Sequence, residues 1–486
     1  MEPYDVIVIG MGPGGEHVAG TLAEAGLAVL GVENGLVGGE CPYWGCIPSK
    51  MMIRAGDALA EARRVPVLGG EVMVRPDWRT VAARIRDEAT DNWDDRVAVE
   101  CFQGKGGTFR RGTGRLLGPR EVQVDGQSFT ARLGIVVATG SRPSVPPIEG
   151  LDRVPYWTNR EAIEVTELPA SLVVLGGGAI GCELTQVFAR FGVTVTVVEA
   201  APQLLPAEEP EVGLALGGVL EAEGITVHVG VGARRVDPDS DGVVVTLGGA
   251  TVVRAERLLV ATGRRVDLAA TGAETVGVDV TARALPIDDR CRVTDSVWGV
   301  GDVTGHGAFT HVAMYQAGIV IRDILGQAGP PADYRALPRV TFTDPEVGSV
   351  GLTEHAARHS GLDIRVGTTS MPGTARGWIH KNGNEGLIKL VEDSARGVLI
   401  GATVMGPAAG EVLGALAVAV HAEVPTGTRR SMIYAYLHLP PRYRGRPAGA
   451  DPTRWVPADS GTAWGTFRPR SGGQGHPGPP RSPSVG

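Results

Sequence analysis

Cysteine is scarce, five in 486 residues, and aromatic side chains make up only 5% of the chain. So few cysteines cannot build a secreted disulfide framework, and Cys101, Cys182 and Cys291 stand alone in sequence. No second ligand pair of zinc-site spacing accompanies Cys41 and Cys46, so no metal is expected. Runs of five or six basic residues are missing from a chain of formal net charge -8, which argues against nucleic acid and anionic membrane surfaces as partners. Long apolar runs are missing too. Stretches such as Val412 to Val420 fall far below the ~20 residues of a membrane span. The opening "MEPYDVIVIG" has an acidic residue where a secretion signal has basic ones. A cytoplasmic protein with a small-molecule partner is expected.

Glycine, by contrast, is abundant: 71 residues, roughly twice the usual share. Much of it falls in two similar places. "DVIVIG" is a short apolar run that breaks into "GMGPGG", continues as an alanine-rich helix and returns as "AVLGVE", ending at Glu33, 23 positions after Gly10. "LVVLGGGAIGCE" opens the same pattern at Leu172, and Glu199 lies 23 positions after Gly176. A single glycine fingerprint says little. Strand before, helix after and acid at the right distance, found twice, predict two dinucleotide-binding units. In each, the glycines (Gly10, Gly12 and Gly15; Gly176, Gly178 and Gly181) let the backbone approach a pyrophosphate, and the carboxylate accepts from a ribose.

"IVVATGSRP" and "LLVATGRR" read as strands closing the two units, and "VWGVGDVTG" sets Asp302 at a strand tip, where ligands of open α/β sheets bind. From about Tyr334 the texture changes to alternating strand-like segments such as "GLIKLVED", followed by an alanine-rich helix after Gly410. That predicts an α+β unit without a phosphate turn. The last fifty residues are rich in Pro, Gly and Arg with no hydrophobic periodicity, and disorder is expected there.

The remaining question is the cysteine pair in "GGECPYWGCIPSK", which could be a staple, a metal clip or the chemistry. Two nucleotide sites and one such pair suggest an electron path in which a nicotinamide gives a hydride, a flavin relays it and a disulfide accepts the electrons. A thiol pKa lowered by a helix N-terminus and cationic neighbours would suit that use.

"GMGPGG", "GGECPYWGCIPSK", the two Ala-Thr-Gly strands, "GVGD" and "FTDPEVGSVGLTE" occur in the order found in the class I pyridine nucleotide-disulfide oxidoreductases, which include dihydrolipoyl dehydrogenases, glutathione reductases and mercuric reductases. The chain resembles that family from Asp5 to about Tyr436. The resemblance implies two Rossmann-type FAD- and NAD-binding domains followed by an α+β interface domain, in a homodimer. Their bounds would be 1–150 for the FAD domain with the redox disulfide, 151–275 for the NAD domain, 276–333 for a return to the FAD domain, 334–436 for the interface domain and 437–486 for the tail.

By the same resemblance FAD would lie on Gly10, Gly12, Gly14 and Gly15, with Glu33 at its ribose and Gly114, Thr139, Gly140, Asp302 and Thr310 around it. Gly263 would join the second fingerprint in holding NAD. Cys46 would be the flavin-proximal sulfur, Cys41 the sulfur that meets substrate, and Lys50 would lie beside the flavin, paired with Glu183. Glu199, with no arginine following nearby, favours NADH over NADPH because a carboxylate repels a 2′-phosphate. The substrate would be a dithiol or disulfide, as in the dihydrolipoyl dehydrogenases, or a quinone or other acceptor reduced with the disulfide incidental.

At its end the chain departs from the family. Where dithiol-using members have His-x-His-Pro-Thr and then Ser-Glu, this sequence has "IYAYLHLPPRY": Tyr436 stands at the acid–base histidine and Pro441 at its glutamate, while His438 is two positions off. No cysteine follows Cys291, so the C-terminal pair of mercuric reductases is missing as well. A single-base frameshift in a GC-rich gene would produce such an ending.

Overall fold

The computed structural model describes residues 4–434 and 454–455. Tyr436 and the expected disordered tail, with His438 and Pro441, lie outside the described residues, except that Arg454–Trp455 within the tail form a short strand where disorder was expected, because they pair with a sheet edge.

The first apolar run forms the strand Tyr4–Ile9, in which Val6, Ile7 and Val8 are completely buried. A parallel strand covered on both faces must be apolar throughout, which is why this one shows no alternation. It pairs in parallel with Val29–Glu33 on one side and Gln127–Val137 on the other, and Thr108–Arg111 extends the sheet beyond Val29–Glu33. Between the first two strands the chain passes Gly10, at φ +94°, and enters the helix Pro13–Glu24. A side chain at Gly10 would press on the Ala138 carbonyl, so this turn demands glycine.

The second unit repeats the plan. Strands Thr226–Val229, Thr194–Glu199, Ser171–Leu175 and Arg257–Val260 lie side by side in parallel, with the helix Ala179–Arg190 after the glycine turn. A three-stranded antiparallel sheet, Ala233–Asp239, Gly242–Leu247 and Val252–Ala255, is appended to it. The chain enters and leaves this unit through two adjacent antiparallel strands, Arg142–Pro143 and Arg264–Arg265.

Val297–Gly299 then pairs in parallel with Gln127–Val137, returning the chain to the first sheet. The return starts earlier than residue 276, because Leu268 and Ala273 already pack into the core of the first sheet beside Leu116 and Ile135. Burial against that sheet, rather than the last strand of the second unit, sets where one unit ends.

The third unit is an antiparallel sheet in the order Pro338–Thr341, Glu346–Gly351, Val398–Gly406, Leu387–Asp393 and Ile364–Ser370, with a two-residue strand Arg454–Trp455 parallel at its edge. The helix Ala409–His421 packs on it through Leu413, Leu416 and Val420. "GLIKLVED", expected to alternate, is buried on both faces. Its lysine, Lys389, is 3% exposed and meets Glu209, Glu211 and Glu354 at 2.8–2.9 Å, so ion pairs take the place of solvent. No helix among the described residues is long and apolar enough to cross a membrane.

Candidate functional site

The three units surround one cavity of about 1570 Å³. Its walls include Gly10, Gly12, Gly14, Gly15 and Glu33 from the first turn, Gly114, Thr139, Gly140 and Asp302 from neighbouring strand ends, and Cys41, Cys46, Lys50, Glu183 and Thr310. The residues of the second fingerprint, Gly176, Gly178, Gly181, Glu199 and Gly263, lie outside this lining, although Ala179 and Ile180 at the start of their helix border it.

Both glycine turns fit a dinucleotide. Gly12 and Gly178 cap the helices Pro13–Glu24 and Ala179–Arg190 without any side-chain cap, and a Cβ at either would enter open space. The first-turn amide donors are thus left for an incoming anion, favoured by the helix dipole. Each acidic strand tip is locked the same way. Glu33 accepts from the amides of Met11 and Gly35, each at 2.7 Å, and Glu199 accepts from those of Gly177 and Ala201 at 2.6 and 2.7 Å. Each carboxylate oxygen retains a lone pair for a ribose hydroxyl. Asp302 accepts from the Ser141 hydroxyl at 2.5 Å, and Arg264 donates to that same hydroxyl at 2.7 Å.

The cysteines sit where a turn becomes a helix. Cys46 is the first residue of the helix Cys46–Leu68, and Lys50 follows one turn later on the same face. Lys50 Nζ donates to Glu183 at 2.8 Å and lies 4.7 Å from the Phe342 ring centre. Glu183 itself is buried, and its other oxygen accepts from the Phe342 amide at 2.8 Å. The sulfur of Cys46 is 3.4 Å from the Thr310 hydroxyl. A hydrogen bond from Cys41 is the largest influence lowering the Cys46 thiol, which comes down to about 6 against the cost of burial, with help from Thr310 and the Lys50 charge. Cys41 is pushed the other way by the same hydrogen bond and by burial. The pair therefore shares one proton, held on Cys41. Cys182 is buried, its thiol pushed up by desolvation, and Cys101 is exposed away from the cavity.

The structure brings together every flavin-side residue expected from the sequence. It also adds residues that the sequence did not single out: Ser141, Arg264, and the grip by Asn159 and Arg160 on Glu40, just before Cys41, and on Trp44, between the cysteines. Ser141 and Arg264 each follow an Ala-Thr-Gly triplet directly, and that shared position was the available signal.

Residues 4–317 match the profile of the pyridine nucleotide-disulphide oxidoreductases, and residues 337–443 that of their dimerisation domain. A mercuric reductase of Streptomyces lividans is 36% identical over 452 residues, spanning 90% of this chain and 94% of that protein. A dihydrolipoyl dehydrogenase of Chlorobaculum tepidum is 34% identical over 458 residues, with the same coverage of 90% and 94%. Among solved structures, the HOCl-induced flavoprotein disulfide reductase RclA of Escherichia coli superposes with a TM-score of 0.78 at 27% identity, covering 90% of this chain and 97% of that one. LpdA of Mycobacterium tuberculosis gives 0.78 at 25% identity, covering 89% and 96%.

Proposed function

This chain belongs to the pyridine nucleotide-disulphide oxidoreductase family and is an FAD-dependent enzyme of that type, and we propose that it passes electrons from NADH to the Cys41–Cys46 pair. The observation that carries this reading is the convergence of Cys46, Thr310, Lys50 and Glu183 on the cavity lined by the first glycine turn. Bound FAD supplies the two-electron relay between nicotinamide and sulfur.

The chain's own residues do the rest. Gly12 and the helix Pro13–Glu24 would present amides to the flavin pyrophosphate, Glu33 and Asp302 would accept from its hydroxyls, and Gly178 and Glu199 would do the same for the nicotinamide dinucleotide. Lys50, fixed by Glu183, places a cation beside Cys46 and favours its thiolate, while Cys41 holds the proton. Glu199 at its strand tip accepts from a free ribose hydroxyl and repels a 2′-phosphate, which favours NADH over NADPH. A homodimer in the cytoplasm belongs to the same reading, supported by the matched dimerisation domain.

For the final acceptor, dihydrolipoyl dehydrogenase-like exchange with a small dithiol is the first reading. A second reading, direct reduction of a quinone or similar acceptor, is favoured by one observation. Tyr436, a phenol, stands where dithiol-using members of the family have their acid–base histidine. Anaerobic titration of the FAD-loaded enzyme with NADH, followed by thiol counting, tests the electron path. Two new thiols per chain, absent in Cys41→Ser, are expected; flavin reduction with no new thiol would overturn it. Steady-state turnover with lipoamide against quinones separates the two acceptors.

A further inference from the structure

The turn Glu40 to Trp44, which carries Cys41 and leads to Cys46, is gripped by residues distant in sequence. Asn159, 8% exposed, donates to the Glu40 carboxylate at 3.0 Å and to the Trp44 carbonyl at 2.8 Å. Arg160 forks onto the other Glu40 oxygen at 2.9 and 2.6 Å and lies 4.3 Å over the Trp44 ring. Arg264 reaches Glu40 at 3.3 Å. The Trp44 indole donates to Glu164 at 2.6 Å, and the Trp93 indole donates to the Tyr43 carbonyl at 3.3 Å.

Trp93 is delivered by an unusual backbone. Asp91, Asn92 and Trp93 lie consecutively in the left-handed region, at φ 47°, 56° and 57°, separated only by Thr90 from a π-helical turn, Ile85–Ala89. Non-glycine residues there cost on the order of 1–3 kcal/mol each, and such outliers persist where the surroundings over-determine them. π-turns collect at functional sites. Helix Asn159–Glu164 contributes three of the grips and is itself fixed by a capping box from Thr158 and Glu161.

We propose that Asn159, Arg160, Glu164, Arg264 and Trp93 form a clamp on the turn Glu40 to Trp44 that holds Cys41 against Cys46 after their disulfide is opened, and so sets the reactivity of the pair. They are positioning residues, acting through Glu40, Tyr43 and Trp44. The inference rests on the reading of Cys41 and Cys46 as the redox pair.

The electron balance shows why position matters. The hydride of NADH carries two electrons and one proton. The sulfur–sulfur bond breaks, Cys41 leaves as the thiol that takes the proton, Cys46 leaves as the thiolate, and NAD⁺ is released. The hydrogen bond from the Cys41 thiol is the largest influence favouring that thiolate, and it lasts only while the loop keeps Cys41 in reach. Cys41 lies in the one-turn helix Glu40–Tyr43, joined to the helix Cys46–Leu68 through Trp44 and Gly45, and a single turn too short to hold itself would let Cys41 swing away once the covalent bond no longer holds it. Other charges around the sulfurs are Lys50, neutralised in part by Glu183, and, on the loop side, Glu40 with its two arginines.

The test is an ultraviolet thiolate titration of the FAD-loaded, full-length enzyme reduced with dithiothreitol, read as the difference from a Cys46→Ser background. The wild type should show a midpoint near pH 6. Asn159→Ala combined with Arg160→Ala should raise it by one unit or more, toward the ordinary thiol value of about 8.5, a tenfold or greater gain in proton affinity. Arg160→Lys, which keeps the charge without the fork, should recover only part. A role confined to fold stability would lower the melting temperature and leave the midpoint in place, and that result overturns the clamp. If the double variant fails to fold, Glu164→Ala removes the acceptor of the Trp44 indole and leaves that ring in place; an unmoved midpoint there overturns it equally. Failure of the redox-pair reading is distinguishable, since the wild type itself would then gain no thiols with NADH.

Discussion

Cys46 and Lys50 illustrate how much chemistry four residues of helical spacing can carry. Lys50 lowers the Cys46 thiol through its charge, behind the larger contribution of the Cys41 hydrogen bond. Lys50→Met should therefore move the thiolate midpoint upward from about 6, and the same difference titration checks it. The sign carries into stability. A thiol lowered in the folded state stabilises the reduced protein fully above about pH 8.5, and that contribution is lost as pH falls through about 6. The melting temperature of the reduced enzyme relative to Cys46→Ser should accordingly rise between pH 5.5 and 9. Glu199 makes a second prediction. Replacing it with alanine removes a ribose acceptor and a repulsive charge together, so Michaelis constants for NADH and NADPH should converge; a wild-type preference for NADPH would show the carboxylate argument to be wrong.

Helices meet the strand ends through ion pairs as well as apolar contact. Arg190, 3% exposed at the end of the helix Ala179–Arg190, meets Asp57 of the helix Cys46–Leu68 at 2.6 Å, Glu223 at 2.7 Å and Asp344 at 2.8 Å. Its three carboxylate partners are part-exposed, and Asp344 keeps Arg64 at 2.7 Å, so truncation removes charged hydrogen bonds without stranding a buried acid. Arg190→Ala should cost about 1.5–3 kcal/mol, seen as a loss of thermal stability with the FAD-loaded enzyme. The elements themselves were legible beforehand wherever one short-range rule decided them. "DVIVIG" and "LVVLGG" read as buried parallel strands because nothing polar interrupts them, and each glycine break marked a turn. What escaped notice depends on tertiary partners. Glu183 looked like an ordinary helix residue until the family pattern pointed at it, and Trp44 and Arg160 belong to segments more than a hundred residues apart. "GLIKLVED" misled because burial of Lys389 among three glutamates makes a polar strand residue a core residue.

Lys389 also joins the second unit to the third, since Glu209 and Glu211 belong to the former and Glu354 to the latter. Its ammonium is raised by hydrogen bonds to these acids against the cost of burial, and Glu354 is lowered by Lys389 and Arg358 against the same cost. Glu354 contributes above the ordinary carboxylate range and loses that contribution as pH falls; Lys389 contributes below about 10.4 and loses it only in strong alkali. Lys389→Met should thus melt well below the wild type at pH 7–8, with the deficit shrinking as pH falls and Glu354 takes up its proton. A deficit that ignores pH would mean the cluster acts by packing alone. We propose that exchange with a thiol substrate is slowed by Tyr436, a phenol standing where dithiol-using members of the family have an imidazole, since phenols ordinarily titrate at about 10. Tyr436→His should raise dihydrolipoamide oxidation, within the roughly 10²–10⁴-fold reach of general acid–base help, while leaving NADH reduction of the flavin unaltered. The paired strands Arg142–Pro143 and Arg264–Arg265 have a different implication. The chain leaves and re-enters the first unit at neighbouring points, so the nicotinamide half is an insert whose ends already touch. It is a cassette: a relative's counterpart spliced between residues 144 and 263 would exchange coenzyme preference in a single block, without cutting any strand of the flavin half.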